Sequence, residues 1–260
     1  MMTPTIRNIG SITMVLFLSL LLLLQAPKAN AQSTGKTYVI VHGAWGGSWA
    51  FKNADSILTS KRNLVYRPSL TGQGERVHLA TPDVDLNTHI KDVVNTILFE
   101  DLNDIILVGH SYGGMVITGV ADSLPNRIEK LIYLDAFVPN NGESAFTAQG
   151  QNSNPGIEKM TKNGFIVPPW VKDEDPLPKD VPQSLKTFTQ PIAIKGRAKN
   201  LPTAYILTVD EGKKPEEDDF ARFAERAKQR GWPVEILISD HNPQWSKVAE
   251  LCDLLQKLSE

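Results

Sequence analysis

Residues 109–113 are Gly-His-Ser-Tyr-Gly, and a serine held between two glycines at this spacing is typical of an activated nucleophile. The apolar residues 105–108 before it predict a buried strand, and the apolar stretch 115–120 after it predicts a buried helix. A strand that turns sharply into a helix holds the serine in a strained conformation at the carboxyl end of a sheet. The flanking glycines are needed because side chains would collide in so tight a turn. We therefore predict that Ser111 is a nucleophile.

A serine hydroxyl is a poor nucleophile at neutral pH, so the site also needs a general base. Of the five histidines, His241 directly follows the last predicted strand and is therefore expected at the same edge of the sheet as Ser111. The other histidines are expected to shape turns or to have surface or capping roles: His42, His110, His78 and His89.

The third member of such a site is a carboxylate that fixes the tautomer of the histidine and stabilises the imidazolium. It is expected at the end of a strand that lies between the nucleophile and the base in the chain. Three acids meet this condition, and the residues alone leave the choice open: Asp135, Asp210 and Glu211.

The oxyanion of a tetrahedral intermediate needs two preorganised backbone donors. One is the N–H of the residue after the nucleophile, Tyr112. The other is expected in the glycine-rich loop 42–47 after the first strand, where Ala44 is the best placed residue. These residues predict ester cleavage through an acyl-enzyme. We expect no metal and no cofactor, because the sequence has no ligand-spaced histidine cluster and no phosphate or dinucleotide loop.

Strands alternate with helices along most of the chain, which predicts an α/β fold with a mostly parallel sheet and helices on both faces. The predicted strands cover residues 38–41, 64–66, 105–108, 128–134, 204–209 and 234–238. Besides the helix after Ser111, the predicted helices cover residues 48–60, 87–100, 216–230 and 244–258. Residues that follow parallel strands are expected to meet at one edge of the sheet.

Residues 138–200 differ from the rest of the chain, with eight prolines and few periodic apolar runs. Large apolar residues such as Ile166, Trp170 and Phe188 nevertheless need burial. This combination favours a lid-like insertion over a disordered linker.

The first 31 residues have the pattern of a secretory signal peptide. Arg7 precedes an apolar run over 12–24, and the small residues at 29–31 offer a cleavage site. The run is short for a membrane span, which needs about 20 residues. We predict cleavage after Ala31, a secreted or periplasmic domain over 32–260, and no stable membrane anchor after cleavage.

The chain has 27 basic and 29 acidic residues and a formal charge of −2, so nucleic acid is not an expected partner. A small-molecule ester is expected instead. The only cysteine, Cys252, lies in a predicted helix and is expected to be a core residue. The length suits one domain with a sizeable core.

The motifs at 41–45, 109–114 and 239–241 resemble those of the α/β-hydrolase superfamily, and the resemblance extends over residues 37–258. Within the superfamily the chain is similar to the plant methylesterase and hydroxynitrile lyase group and to its bacterial relatives. This resemblance implies an esterase that cleaves a carboxylic ester of a small, largely apolar substrate.

The resemblance also implies a choice of acid. In that group the acid follows the tyrosine of the preceding strand by six residues, and counting from Tyr205 leads to Glu211. The lyases of the group tend to carry Lys where this chain has Asn242. The alternatives are a lactonase or a lyase that uses the same residues, or a catalytically slow ligand-binding protein.

Overall fold

The computed structural model describes residues 35–151 and 155–260, and the predicted signal peptide, residues 1–31, lies outside the described residues. The strands of the described residues are, in chain order, β1 (Thr37–Val41), β2 (Leu64–Tyr66), β3 (Ile105–His110), β4 (Ile128–Leu134), β5 (Thr161–Lys162), β6 (Phe165–Ile166), β7 (Gln183–Ser184), β8 (Thr203–Val209) and β9 (Val234–Ile238). Six of them form one sheet in the order β2-β1-β3-β4-β8-β9, and every pair in it is parallel. The predicted mostly parallel sheet is confirmed.

The helices lie on both faces of this sheet. They are α1 (Lys52–Ser60), α2 (Leu86–Phe99), α3 (Gly113–Ser123), α4 (Ala145–Ala148), α5 (Pro155–Lys159), α6 (Lys186–Thr189), α7 (Ala221–Gln229), α8 (Pro243–Ser246) and α9 (Val248–Ser259). Alternate residues of a strand point to opposite faces, so Val39 and Leu107 pack with α2, α3 and α7, whereas Ile40 and Val108 pack with α1 and α9. Burial on both faces explains why the central strands are continuous apolar runs.

Three predicted helices are each divided in the structure. Residues 48–60 form a 3-10 turn at Ser48–Phe51 before α1, and residues 244–258 form α8 and α9. The stretch predicted as a helix over 216–230 starts as a 3-10 turn at Pro215–Glu217, and the carboxylate of Asp218 then accepts a hydrogen bond from the backbone N–H of Phe220. Such local side-chain bonding competes with helix formation.

The predicted insertion between β4 and β8 is folded where it is described. It contains α4 to α6 and a small antiparallel sheet in the order β5-β6-β7. Ile166 and Phe188 are buried in the main core, as expected, whereas Trp170 is half exposed. The insertion therefore packs on the parallel sheet domain through a few apolar residues.

No helix of the described residues is long and apolar enough to cross a membrane. Cys252 is a free, fully buried thiol in α9, which confirms its predicted place in the core.

Candidate active site

The turn between β3 and α3 has the strained geometry that its sequence predicts. Ser111 lies in this turn with a φ of 54°, in the left-handed region. A Cβ atom on Gly109 would lie 2.7 Å from the carbonyl oxygen of Gly113, and a Cβ on Gly113 would lie 2.6 Å from the carbonyl oxygen of Val41. Only glycine fits at both positions, because the backbone atoms they meet cannot move aside. The backbone N–H of Ser111 donates to the carbonyl of Leu134, which holds the turn against β4.

Three side chains that are distant in sequence meet at this edge of the sheet. Nε2 of His241 is 3.0 Å from Oγ of Ser111, and Nδ1 of His241 is 2.5 Å from Oδ2 of Asp135. The carboxylate of Asp135 is almost fully buried, whereas the imidazole is partly exposed. A hydroxyl, an imidazole and a carboxylate in this order form a relay that can deprotonate the hydroxyl and stabilise the resulting imidazolium.

Asp135 is held in place by both of its oxygens. It follows β4 directly with a φ of 43°, and its backbone N–H donates to the carbonyl of Ile206 at 2.7 Å. The backbone N–H of Thr208 donates to Oδ1 at 3.2 Å, which leaves Oδ2 for the imidazole. A carboxylate fixed by a backbone donor orients the histidine with little loss of side-chain entropy.

The structure brings Asp135 to His241, and not Glu211, the acid that the family resemblance implies. Asp210 also lies away from the imidazole. β8 ends at Val209, and the chain then turns outward at Gly212, which has a φ of 82°. Asp210 forms an ion pair with the exposed Lys213 at 2.7 Å, and Glu211 is exposed. Counting residues along the chain could not identify the carboxylate that contacts His241, because the direction of the turn after β8 decides which acid faces the imidazole. The available signal was that Asp135 follows the strand beside the one that carries Ser111.

The loop that carries His241 is built by several local contacts. The carboxylate of Asp240 accepts hydrogen bonds from the backbone N–H of Asn242 at 2.9 Å and from the hydroxyl of Ser246 at 2.8 Å, which closes the turn. The ring of Phe220 stacks on the imidazole of His241 with centroids 4.8 Å apart. Sequence reasoning missed Phe220, because it comes from the irregular segment before α7.

His110 also supports the loop that carries His241. Its Nε2–H donates to the carbonyl oxygen of His241 at 2.8 Å. Burial and, to a smaller extent, the neighbouring imidazole of His241 lower the pKa of His110 to about 3. His110 is therefore a neutral positioning residue at physiological pH.

His42 and His89 are also buried and neutral, and burial lowers the pKa of each to about 4. Nδ1–H of His42 donates to the carbonyl of Gly43 at 2.7 Å, within the loop after β1 that His42 is predicted to shape. His89 differs from the expected surface or capping role. Its Nδ1 accepts from the hydroxyl of Tyr112 at 3.0 Å, and its Nε2–H donates to the carbonyl of Thr71 at 3.0 Å.

These three histidines are expected to make the fold less stable in mild acid. Each takes up a proton near pH 6.5 in the unfolded chain, whereas the folded pKa is about 4 for His42 and His89 and about 3 for His110. The unfolded state therefore binds more protons below about pH 6.5, and the free energy of unfolding falls from there to about pH 4. The full slope is roughly 1.4 kcal/mol per pH unit for each histidine.

Urea unfolding at pH 7.5, 6.0 and 5.0 measures this effect. A matched control is His78→Asn, which removes an exposed histidine and is expected to keep the pH dependence. A free energy of unfolding that stays constant between pH 7.5 and 5.0 would contradict the prediction.

The loop after β1, the insertion and the segment after β9 line a cavity beside the nucleophile. Ala44 and Ser111 line this cavity of about 160 Å³, and its wall includes Trp45, Trp170 and Trp245. Tyr112 follows Ser111 directly and precedes the first residue of α3, and its side chain is buried. Both predicted oxyanion donors thus belong to elements that meet at Ser111. No group of residues within 35–151 and 155–260 has the arrangement of a metal site.

Comparisons with known proteins agree on one family. Residues 38–254 match the model of the alpha/beta hydrolase family. A carbendazim hydrolyzing esterase from Nocardioides sp. (strain SG-4G) is 34% identical over 241 residues, which cover 85% of this chain and 98% of that protein. Methylesterase 9 from Arabidopsis thaliana is 25% identical over 255 residues, which cover 86% of this chain and 98% of that protein.

The solved structures give the same result for the fold. An extracellular alpha/beta-hydrolase from a Paenibacillus species superimposes with a TM-score of 0.72 at 22% identity, covering 86% of this chain and 98% of its own. At this identity the likeness shows the fold alone.

Proposed function

Because the chain belongs to the alpha/beta hydrolase family, we propose that it is a serine esterase that cleaves a carboxylic ester of a small, largely apolar substrate through an acyl-enzyme. The observation that carries this proposal is the contact series from Ser111 through His241 to Asp135, with distances of 3.0 and 2.5 Å. The names of the relatives, an esterase and a methylesterase, support ester cleavage.

The contacts support the following mechanism. Nε2 of His241 takes the proton of Ser111 as Oγ attacks the ester carbonyl, and Asp135 stabilises the imidazolium that forms. The backbone N–H groups of Ala44 and Tyr112 stabilise the tetrahedral oxyanion. The imidazolium then gives its proton to the leaving alcohol. Water attacks the acyl-enzyme with the same base, and Ser111 is released.

The size and lining of the cavity support a small substrate. Its volume is about 160 Å³, and three tryptophan side chains contribute to its wall. The proposal is tested with p-nitrophenyl esters of increasing acyl length, run on the wild type and on Ser111→Ala. We expect turnover to be highest for short acyl groups. Stoichiometric binding of these esters without turnover would instead identify a slow ligand-binding protein.

We also propose that the protein is exported and is secreted or periplasmic. The support is the apolar run over 12–24 followed by Ala-Asn-Ala at 29–31. Mass spectrometry of protein from its native host is expected to find Gln32 at the N-terminus. A membrane-held chain that still begins at Met1 would refute this proposal.

A further inference from the structure

The loop after β1 needs support from other elements if it is to hold an oxyanion donor. Three of the five residues 43–47 are glycine, so the loop has little stiffness of its own. Oxyanion donors act by being held in place before the reaction starts. The loop lies against the nucleophile, since a Cβ built on Gly43 would be 3.1 Å from the Cβ of Ser111. The contacts that fix this loop therefore decide how well the N–H of Ala44 is aimed.

Two hydrogen bonds fix the peptide groups on either side of Ala44. The carbonyl of Gly43 accepts from Nδ1–H of His42 at 2.7 Å, a contact within the loop itself. The N–H of Trp45 donates to Oε1 of Gln183 at 2.9 Å, a contact made by the insertion. The N–H of Ala44 has no hydrogen-bond partner of its own among the described residues, so it is available to an oxyanion.

The insertion holds Trp45 in a conformation that its own backbone disfavours. The φ of Trp45 is 62°, in the left-handed region, where residues other than glycine stay only if their surroundings hold them. Besides the bond to Gln183, the carbonyl of Trp45 accepts from the N–H of Val181 at 2.8 Å. Without these two bonds Trp45 would relax toward the ordinary regions, and the peptide group that follows Ala44 would turn with it.

Gln183 is itself fixed at the other end of its amide group. The side chain is buried, and its Nε2–H donates to Oγ1 of Thr187 at 2.8 Å. The hydroxyl of Thr187 in turn donates to the carbonyl of Ser184 at 2.7 Å. A buried amide that is bonded at both ends has one orientation, so it transmits the position of the insertion to the loop after β1.

A ring of the insertion also contacts both parts of the proposed oxyanion site. The buried ring of Phe188 in α6 stacks on Trp45 with centroids 5.7 Å apart, and on Tyr112 with centroids 5.3 Å apart. Trp45 directly follows Ala44, and Tyr112 carries the second proposed donor. The insertion therefore packs against both donor segments at once.

We propose that Gln183 is a positioning residue of the oxyanion site. Its side-chain carbonyl holds the backbone of Trp45, and the N–H of Ala44 is thereby aimed at the place where the oxyanion develops. The insertion then contributes to stabilisation of the transition state, and not only to the wall of the cavity. This inference rests on the proposed function, because it concerns the same reaction.

The test compares p-nitrophenyl acetate with its thiono analogue, in which sulfur replaces the carbonyl oxygen. Sulfur is larger and a weaker hydrogen-bond acceptor, so the ratio of the kcat/KM values for the oxygen and sulfur esters reports how well the donors are placed. Gln183→Met keeps the length of the side chain but removes its carbonyl. We expect this variant to lower the ratio by about tenfold, and to lower kcat for the oxygen ester by about 10-fold to 100-fold with KM nearly unchanged. Loss of a whole oxyanion donor lowers kcat by about 10²-fold to 10³-fold, so a misplaced donor is expected to cost less.

Gln190→Met is the matched control. Gln190 also belongs to the insertion, and its Oε1 also accepts from a backbone N–H, that of Asn87 in α2, at 3.0 Å. The control thus removes the same kind of bond between the insertion and the parallel sheet domain, but away from the loop after β1. It is expected to keep the wild-type ratio and the wild-type kcat.

The ratio separates positioning from a general loss of structure, which affects both esters alike. A wild-type ratio in folded Gln183→Met overturns the assignment, even if kcat/KM falls for both esters. If Gln183→Met does not fold, Gln183→Asn decides by the same ratio, because its amide is one methylene shorter and cannot reach both Trp45 and Thr187. Failure of the proposed function is distinguished by Ser111→Ala, since the function fails if that variant hydrolyses both esters as the wild type does.

Discussion

Ser111→Ala is expected to fold normally and to lose nearly all esterase activity. The substitution removes the hydroxyl that lies 3.0 Å from Nε2 of His241 and leaves the Cβ atom of the turn in place. Loss of a nucleophile that acts as a unit with its base lowers turnover by about 10⁶-fold in a well-studied serine protease, and a similar loss is expected here. Turnover of a short p-nitrophenyl ester measures the effect, and circular dichroism checks the fold.

A matched control and a chemical label sharpen this test. Ser123→Ala removes the serine at the C-terminal end of α3, the helix that follows Ser111, and it is expected to keep full activity. The hydroxyl of Ser123 donates to the carbonyl of Gly119 at 2.8 Å. A fluorophosphonate probe is expected to label Ser111 in the wild type and no other serine. Activity close to wild type in Ser111→Ala would refute the mechanism.

Asp135→Asn is expected to lower turnover by about 10⁴-fold while the fold remains intact. Oδ2 of Asp135 is 2.5 Å from Nδ1 of His241, and an amide there cannot stabilise the imidazolium as a carboxylate does. Asp210→Asn and Glu211→Gln are the matched controls, because both acids lie on the outward turn after β8. Both controls are expected to keep turnover within a few-fold of the wild type.

The pH profile gives a second readout for the same variant. Without its partner, the imidazole of His241 is expected to lose its favoured tautomer, so the dependence of kcat/KM on pH changes shape in Asp135→Asn alone. If Glu211→Gln or Asp210→Asn loses turnover while Asp135→Asn does not, the acid is that residue and the assignment to Asp135 is wrong.

Local patterns were sufficient for the elements that position the nucleophile and the base. The strands at 64–66, 128–134 and 234–238 have the predicted bounds, because short segments rich in β-branched and aliphatic residues are bounded there by turn residues. The predicted superfamily is confirmed by the family match over 38–254. These signals are local, so a single sequence contains them.

The division of three predicted helices and the environment of His89 could be seen only in the structure. Asp218 accepts a hydrogen bond from the backbone N–H of Phe220, and α7 begins only at Ala221. His89 near the start of α2 is fully buried, because the hydroxyl of Tyr112 and the carbonyl of Thr71 provide partners from other elements. Such partners are absent from any local window of sequence.

The sequence by itself determined the parallel sheet, the strained turn at Ser111 and a histidine after the last strand. Only the tertiary structure decided which carboxylate faces His241. The physical reason is the direction of the loops. The loop after β9 passes the end of β8 to reach Asp135 after β4, whereas the turn after β8 carries Glu211 into solvent. Loop direction depends on contacts between distant segments, which spacing along the chain does not specify.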